Sequence, residues 1–313
     1  MAENVAEALL QRGGSTRRTV TGLVVQGGGM RGIYSMAALS ALEEAGLGNA
    51  FTHVFASSAG AINGAYMLAG QAHLAVTVYL DDISNRKFVN FARLRRIVDI
   101  DYLVDGVLKR EKLLDVARVM TSGTELHIIL TDAVSGEAVV VSNRDGTLDL
   151  MEALRATAAM PILYNKLVAV GSGHFIDGGL RDAVPVQRAI EAGCTEIVVV
   201  LTREPSFRRR RPSFLMRCVE APFLRGYSEA TRELILAEDD LFNRNMAIIM
   251  EPALVNFEGR ITLVYPSDMR RMVSRTTSNR ARLLECALMA RDDMRRALGL
   301  PEVHDSPWPS AQP

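Results

Sequence analysis

The sequence predicts an α/β protein built around a mostly parallel, buried sheet. Three observations predict it. Short apolar, β-branched runs alternate with stretches of helical periodicity, the pattern of strand–helix–strand units whose sheet is covered on both faces. Two strand-to-helix junctions consist of glycine and other small residues, which marks turns where the backbone passes close to a neighbour. The chain has 313 residues, of which 48% are apolar, enough to bury a substantial core.

Taken in order, residues 1–19 are a polar leader ending in GGSTRR. GLVVQ (22–26) reads as a buried strand, and MRGIYSMAALSALEEAG (30–46) as a helix with Gly46 at its C-terminal cap. HVFAS (53–57) is a second strand and AGAINGAYMLAG (59–70) a second helix. ELHIILTDA (125–133) and EAVVVS (137–142) are strands joined by Ser135-Gly136, a hairpin signal. MEALRATAAM (151–160) is a helix stopped by Pro161, QRAIEAG (187–193) a short helix, and EIVVVLT (196–202) a further strand. The segment 278–301 reads as a helix with Ser278 as N-cap, Gly299 after its end and Pro301 as the stop. There is no internal repeat and no clear domain linker. The expected organisation is a leader (1–19), a catalytic core (20–205), a helical C-terminal extension packed on that core (206–300) and a proline-rich, disordered tail (301–313).

Lys and Arg balance Asp and Glu at 36 each, so no global field favours nucleic acid, and no nucleic-acid partner is expected. Cys194, Cys218 and Cys286 show no C-x-x-C spacing, which fits reduced thiols in a cytoplasm. The first residues are acidic where a signal peptide is basic, and no run reaches the ~18 apolar residues of a spanning helix. The expectation is a cytoplasmic protein. No H-E-x-x-H or EF-hand pattern is present, so no metal or other cofactor is expected.

The loop GGGMRG (27–32) follows one strand and opens one helix. Gly27, Gly29 and Gly32 satisfy G-x-G-x-x-G, but a dinucleotide site also needs an acidic residue near the end of the second strand. That strand ends in Phe55, Ala56, Ser57 and Ser58. The other use of such a loop is an oxyanion hole: glycines turn backbone N–H groups to one point, and the following helix adds positive potential. Arg31 adds charge. A plain tight turn is the bland alternative.

A nucleophile elbow places a serine at a sharp strand-to-helix turn, with small residues two before and two after it. Ala56-Ser57-Ser58-Ala59-Gly60 fits this with Ser58 as the nucleophile and Gly60 as the second small residue; Ala56 stands where the pattern has glycine. Ser57 would be flanked by Phe55 and Ala59. Either serine would also serve as a simple helix cap. A serine needs a base, and none of His53, His73, His127, His174 and His304 sits in an evident catalytic context. Asp177 is the better candidate: it follows an apolar pair and precedes Gly178 and Gly179, although Asp-Gly is also a common turn.

GGG-x-RG after the first strand, x-S-x-G after the second and DGG far downstream together resemble the patatin-like phospholipase family over residues 20–205. RATAAMP (155–161) and Pro185 agree with it. The resemblance implies a three-layer α/β/α fold. It implies Gly27, Gly28, Gly29, Arg31 and Gly32 as the oxyanion hole and a Ser58–Asp177 dyad without histidine. The activity it implies is hydrolysis of lipid acyl esters. A thioesterase or acyltransferase on the same dyad, or a silent lipid-binding scaffold, are the alternatives; Ala56 motivates the last. Acyl-chain binding is expected from apolar residues within 86–120 and 214–257. Arg208, Arg209, Arg210 and Arg211, interleaved with apolar residues, are expected to touch an anionic membrane surface.

Overall fold

The computed structural model describes residues 19–93, 96–210 and 222–301, with 303, 305, 307 and 308. Among the described residues there are eight strands: β1 (Thr21–Val25), β2 (His53–Ala56), β3 (Glu125–Asp132), β4 (Ala138–Ser142), β5 (Val168–Val170), β6 (Gly173–Asp177), β7 (Glu196–Val200) and β8 (Arg260–Val264). They form one sheet in the order β5-β6-β3-β2-β1-β7-β8, with β4 paired to β3 outside that path. From β3 through β8 the neighbours run parallel, while β4, β5 and β6 pair antiparallel.

Successive strand residues face opposite sides, and β1 shows both sides buried. Leu23 and Val25 belong to the main core, while Val24 belongs to a second core on the other face. Helices α1 (Gly32–Glu44) and α2 (Ala59–Leu68) cover the first face, with the short α3 (Ala72–Thr77), α4 (Val116–Met120) and α5 (Leu150–Thr157) around them. Helices α6 (Val186–Glu191) and α7 (Glu229–Met250) contribute to the second. This is the three-layer α/β/α arrangement expected from the sequence. Every residue of α1 from Gly32 to Leu42 is buried, because α8 (Arg280–Ala297) closes over its outer side. Tyr34 donates to Asp293 at 2.9 Å there, and Arg291 pairs with Glu44 at 2.9 Å.

Several boundaries differ from the sequence reading. The stretch 206–300 is not only helical: β8 extends the sheet beside β7, and five residues are too few for periodicity to reveal it. Asn279 rather than Ser278 caps α8, its side chain accepting from Arg282 N–H at 3.1 Å. The tail expected to be disordered places Trp308 in the main core, stacked on His73. The leader up to residue 18, with Arg211, Cys218 and His304, lies outside the described residues. Two segments, Val78–Asp82 and Tyr102–Glu111, form wide helical turns with i→i+5 bonding, a geometry often found beside functional sites. No helix among the described residues is long and apolar enough to cross a membrane.

Candidate active site

Strand β3 brings the two halves of the site together. Its residues His127 and Ile128 pair with β2 and β4 at once, and Leu130 and Thr131 pair with β6 and β4 at once. A strand has two edges, so β2 and β6 share the edge opposite β4. Parallel β2 occupies the first half of that edge and antiparallel β6 the second. Ala56, the last residue of β2, lies opposite Ile128; Asp177, the last of β6, lies opposite Leu130. The two strands thus end head to head, and each delivers its terminal side chain to the same place.

The turn after β2 carries Ser58 at φ 54°, ψ −137°, left-handed for a residue with a side chain. That costs about 1–3 kcal/mol and is characteristic of a nucleophile elbow. The turn is tight enough that a Cβ on Gly60 would lie 2.3 Å from the Val25 carbonyl oxygen. Ala56, with one methyl more than glycine, is fully buried in the main core beside this turn. Thr157 on α5 holds the turn: its Oγ1 accepts from Ser58 N–H at 2.8 Å while its hydroxyl donates to the Ile129 carbonyl at 2.6 Å. Ser57 points elsewhere and donates to the Asp182 carbonyl at 3.0 Å.

Ser58 Oγ donates to Asp177 Oδ2 at 2.9 Å. Asp177 Oδ1 accepts from Gly179 N–H at 2.7 Å. The carboxyl is 1% exposed. Burial pushes it up to about 6, against the Gly179 and Ser58 hydrogen bonds and the nearby Arg275, which pull it down. Gly178 is fixed by contact: a Cβ there would sit 1.8 Å from the Ile129 carbonyl oxygen. No histidine among the described residues lines the cavities around Ser58.

The glycine loop crosses beside the serine. Gly28 and Gly29 both have positive φ, at 143° and 58°. The Arg275 carbonyl supports the loop by accepting from Met30 N–H at 3.0 Å. The N–H groups of Gly28 and Gly29 donate to nothing among the described residues. Gly32 begins α1 against α2, 2.9 Å separating a Cβ there from that of Ala59. Arg31 is buried and its Nε has no hydrogen-bond partner among the described residues. Burial, then repulsion from Arg275, Arg203 and Arg209, pushes its guanidinium down to about 9.

Two cavities meet at this point, and Ser58, Asp177, Met160 and Arg275 line both. The first is apolar and about 60 Å³ in volume, walled by Ile62, Tyr66, Phe88, Val98, Ile100 and Leu103 among others. The stretch 86–120 contributes to this wall as expected; 222–257 contributes nothing to it. The second is about 420 Å³ and is lined by Arg31, Arg203, Arg209, Arg210 and Arg275, with Glu238 and Asp239 as the acids beside Asp177. Arg209 and Arg210 therefore face this chamber. Arg209 lies over the Phe242 ring and pairs with Glu238 at 3.4 Å. Arg208 instead bonds the Pro205 and Phe207 carbonyls. Sequence reasoning missed Thr157, Arg203 and Arg275. Only the excess of arginine in 203–217 and 269–298 pointed toward the last two.

A strained serine facing a glycine loop and a buried aspartate, on a mostly parallel sheet between two helical layers, defines the patatin-like class of α/β protein. The model of the patatin-like phospholipase family matches residues 23–190, and the chain belongs to that family. It is similar to YjjU, an uncharacterized protein of Escherichia coli (strain K12), with 29% identity over 186 residues, which cover 58% of this chain and 51% of the relative. The chain thus matches about half the length of that curated relative. Among solved structures it is similar to VipD from Legionella pneumophila, at a TM-score of 0.48 and 16% identity, covering 90% of this chain and 66% of that one.

Proposed function

We propose that this protein is a serine acyl hydrolase that cleaves lipid acyl esters with a Ser58–Asp177 dyad. The observation that carries the reading is the direct 2.9 Å contact from the strained Ser58 hydroxyl to the buried Asp177 carboxylate, placed where an apolar and an arginine-lined cavity join. Family membership supports lipid acyl hydrolysis in general. As Ser58 Oγ attacks the ester carbonyl carbon, its proton passes to Asp177 Oδ2. The unpaired Gly28 and Gly29 N–H groups receive the oxyanion, aided by the charge of Arg31. Collapse breaks the ester C–O bond, and Asp177 returns the proton to the leaving alkoxide. A water then gives its proton to Asp177, its oxygen attacks the acyl carbon, and Ser58 leaves with that proton as the fatty acid forms.

The cavities divide the substrate. The acyl chain enters the apolar side, whose roughly 60 Å³ takes only its first carbons until the lining side chains move apart, and the leaving group occupies the arginine chamber. Five arginines against three acids suit a phosphate-bearing head group, because each arginine offers a planar fork of donors to phosphate oxygens. The same chamber favours a second reading, a thioesterase acting on acyl thioesters of a phosphate-bearing carrier. Hydrolysis of a lysophospholipid, a neutral monoacylglycerol and an acyl thioester, measured side by side, tests the assignment. Fastest turnover of the phosphorylated ester supports it. Preference for the thioester selects the second reading, and no turnover of any by a chain that labels with fluorophosphonate overturns the substrate class.

A further inference from the structure

A second cluster of reactive side chains lies at the opposite end of β2 from Ser58. His53 opens β2 and pairs with Glu125, which opens β3; His127, two residues on, pairs with Phe55. The period-2 alternation of strands puts His53, Glu125 and His127 on one face of the sheet. His53 Nδ1 and His127 Nε2 share a hydrogen bond at 3.1 Å, whose proton a bound metal would displace. Glu125 Oε2 is 3.7 Å from the first and 3.8 Å from the second, beyond hydrogen-bond reach of either ring. Phe55 stacks on His127 with ring centres 4.3 Å apart and planes 4° from parallel, which fixes the imidazole. The three side chains are between 16% and 27% exposed, so one side of the cluster opens to water.

We propose that His53, Glu125 and His127 form a binding site for a zinc-like divalent transition-metal ion. The three donor atoms define a triangle with sides of 3.1, 3.7 and 3.8 Å. Such a triangle has a point about 2.1 Å from every corner, and that is the length of zinc–imidazole and zinc–carboxylate bonds. Two imidazole nitrogens and one carboxylate oxygen suit Zn²⁺, Co²⁺ or Ni²⁺ better than Ca²⁺ or Mg²⁺, which prefer oxygen alone. An ion at that point lies close to the plane of the three donors, so the side chains must draw together by a few tenths of an ångström for a water on the open side to complete a tetrahedron. The ion touches no residue of the acyl-transfer site. It joins the first residues of β2 and β3, the strands that carry the serine elbow and the edge on which Asp177 ends. Binding to the folded state alone then raises stability by mass action.

Titration of the untagged 313-residue chain with Co²⁺ tests this. The expected result is one equivalent bound, with the visible absorption of a tetrahedral centre, displaced by Zn²⁺ and accompanied by a higher melting temperature. His127→Ala and the isosteric Glu125→Gln should each weaken Zn²⁺ binding by about 100-fold or more, since losing even a supporting partner of a ligand costs about 10–100-fold. A cooperative thermal melt in metal-free buffer, at the wild-type temperature, shows that the variants remain folded. No stoichiometric binding by the wild type, or equal binding by the wild type and a folded Glu125→Gln chain, overturns the site.

Discussion

On one side of Ser58 the walls are Ile62, Phe88, Val98, Ile100 and Leu103; on the other they are Arg31, Arg203, Arg209, Arg210 and Arg275. The apolar side is made of ordinary core residues that the fold buries at a gain. The arginine side holds like charges near one another in partly desolvated surroundings, and Arg31 shows the strain in its lowered proton affinity. Cations are gathered at such cost where an anion will relieve them. An ester linking a fatty acid to a phosphorylated alcohol has two halves of this same contrast. Under the proposed function, the two walls would set which way round such a substrate lies before any chemistry begins.

The proposed reaction centre lies at the junction of the two walls, so the largest effects are expected from removing it. Ser58→Ala should abolish fluorophosphonate labelling and lower turnover on the order of 10⁶-fold, the scale for loss of a serine nucleophile. Ser57→Ala should keep labelling and lose only about 1 kcal/mol of stability, the worth of its bond to the Asp182 carbonyl. Loss of labelling in Ser57→Ala alone would move the nucleophile and dissolve the two-sided reading.

In the proposed mechanism Asp177 joins catalysis to stability with opposite signs. Burial raises its pKa from the usual 3.8 to about 6. A raised carboxyl contributes stability that is full below about pH 4 and is lost as pH climbs through 6, because the folded state then holds a buried charge. Asp177→Asn removes that loss. The variant should be more stable than wild type at pH 8, by up to about 3 kcal/mol for two pKa units, with no gain at pH 4. It should also lose about 10²–10⁴-fold in activity for want of a base. In the wild type kcat/KM should fall as pH drops below about 6. Denaturant melts at both pH values and a pH–rate profile check this; equal stabilities at pH 8 would remove the buried-base assignment.

The parts of this site that could be read from sequence are the local ones. A glycine at 60 or 178 is demanded by backbone atoms 2.3 and 1.8 Å from where a side chain would begin. Such close approach leaves a pattern of small residues. Thr157 and Arg275 leave no such mark, because their roles depend on which elements the fold brings alongside. The meeting of Ser58 with Asp177 could be guessed only through a family resemblance. Its cause, β2 and β6 sharing one edge of β3, rests on a register that no single strand encodes. The His53–Glu125–His127 cluster is hidden for the same reason, since its side chains lie on two paired strands rather than one helix. The strand β8 was missed because five residues carry too little periodicity.

The arginine wall is the next target. Arg203 lies over Phe207, with 5.0 Å from guanidinium to ring centre, and faces the chamber from the end of β7. A hydrogen bond to a charged group is worth about 1.5–3 kcal/mol. Arg203→Gln should therefore shrink the preference for a phosphorylated over a neutral ester by about tenfold or more in kcat/KM. An unchanged ratio would show that the chamber does not read the head group.

The smallest effect belongs to the apolar wall, which is also the narrower at about 60 Å³ against about 420 Å³. A chamber that small makes the acyl half the more size-sensitive end of the substrate. Leu163 is partly buried at the channel, so a larger side chain there narrows it without filling the centre of the core. One methylene in an apolar pocket is worth about 1–3 kcal/mol. Leu163→Phe should lower kcat/KM for long-chain esters by about tenfold relative to butyryl esters, with the phosphorylated-to-neutral preference intact. If the variant instead alters head-group preference and leaves chain length untouched, the two walls have been assigned to the wrong halves of the substrate.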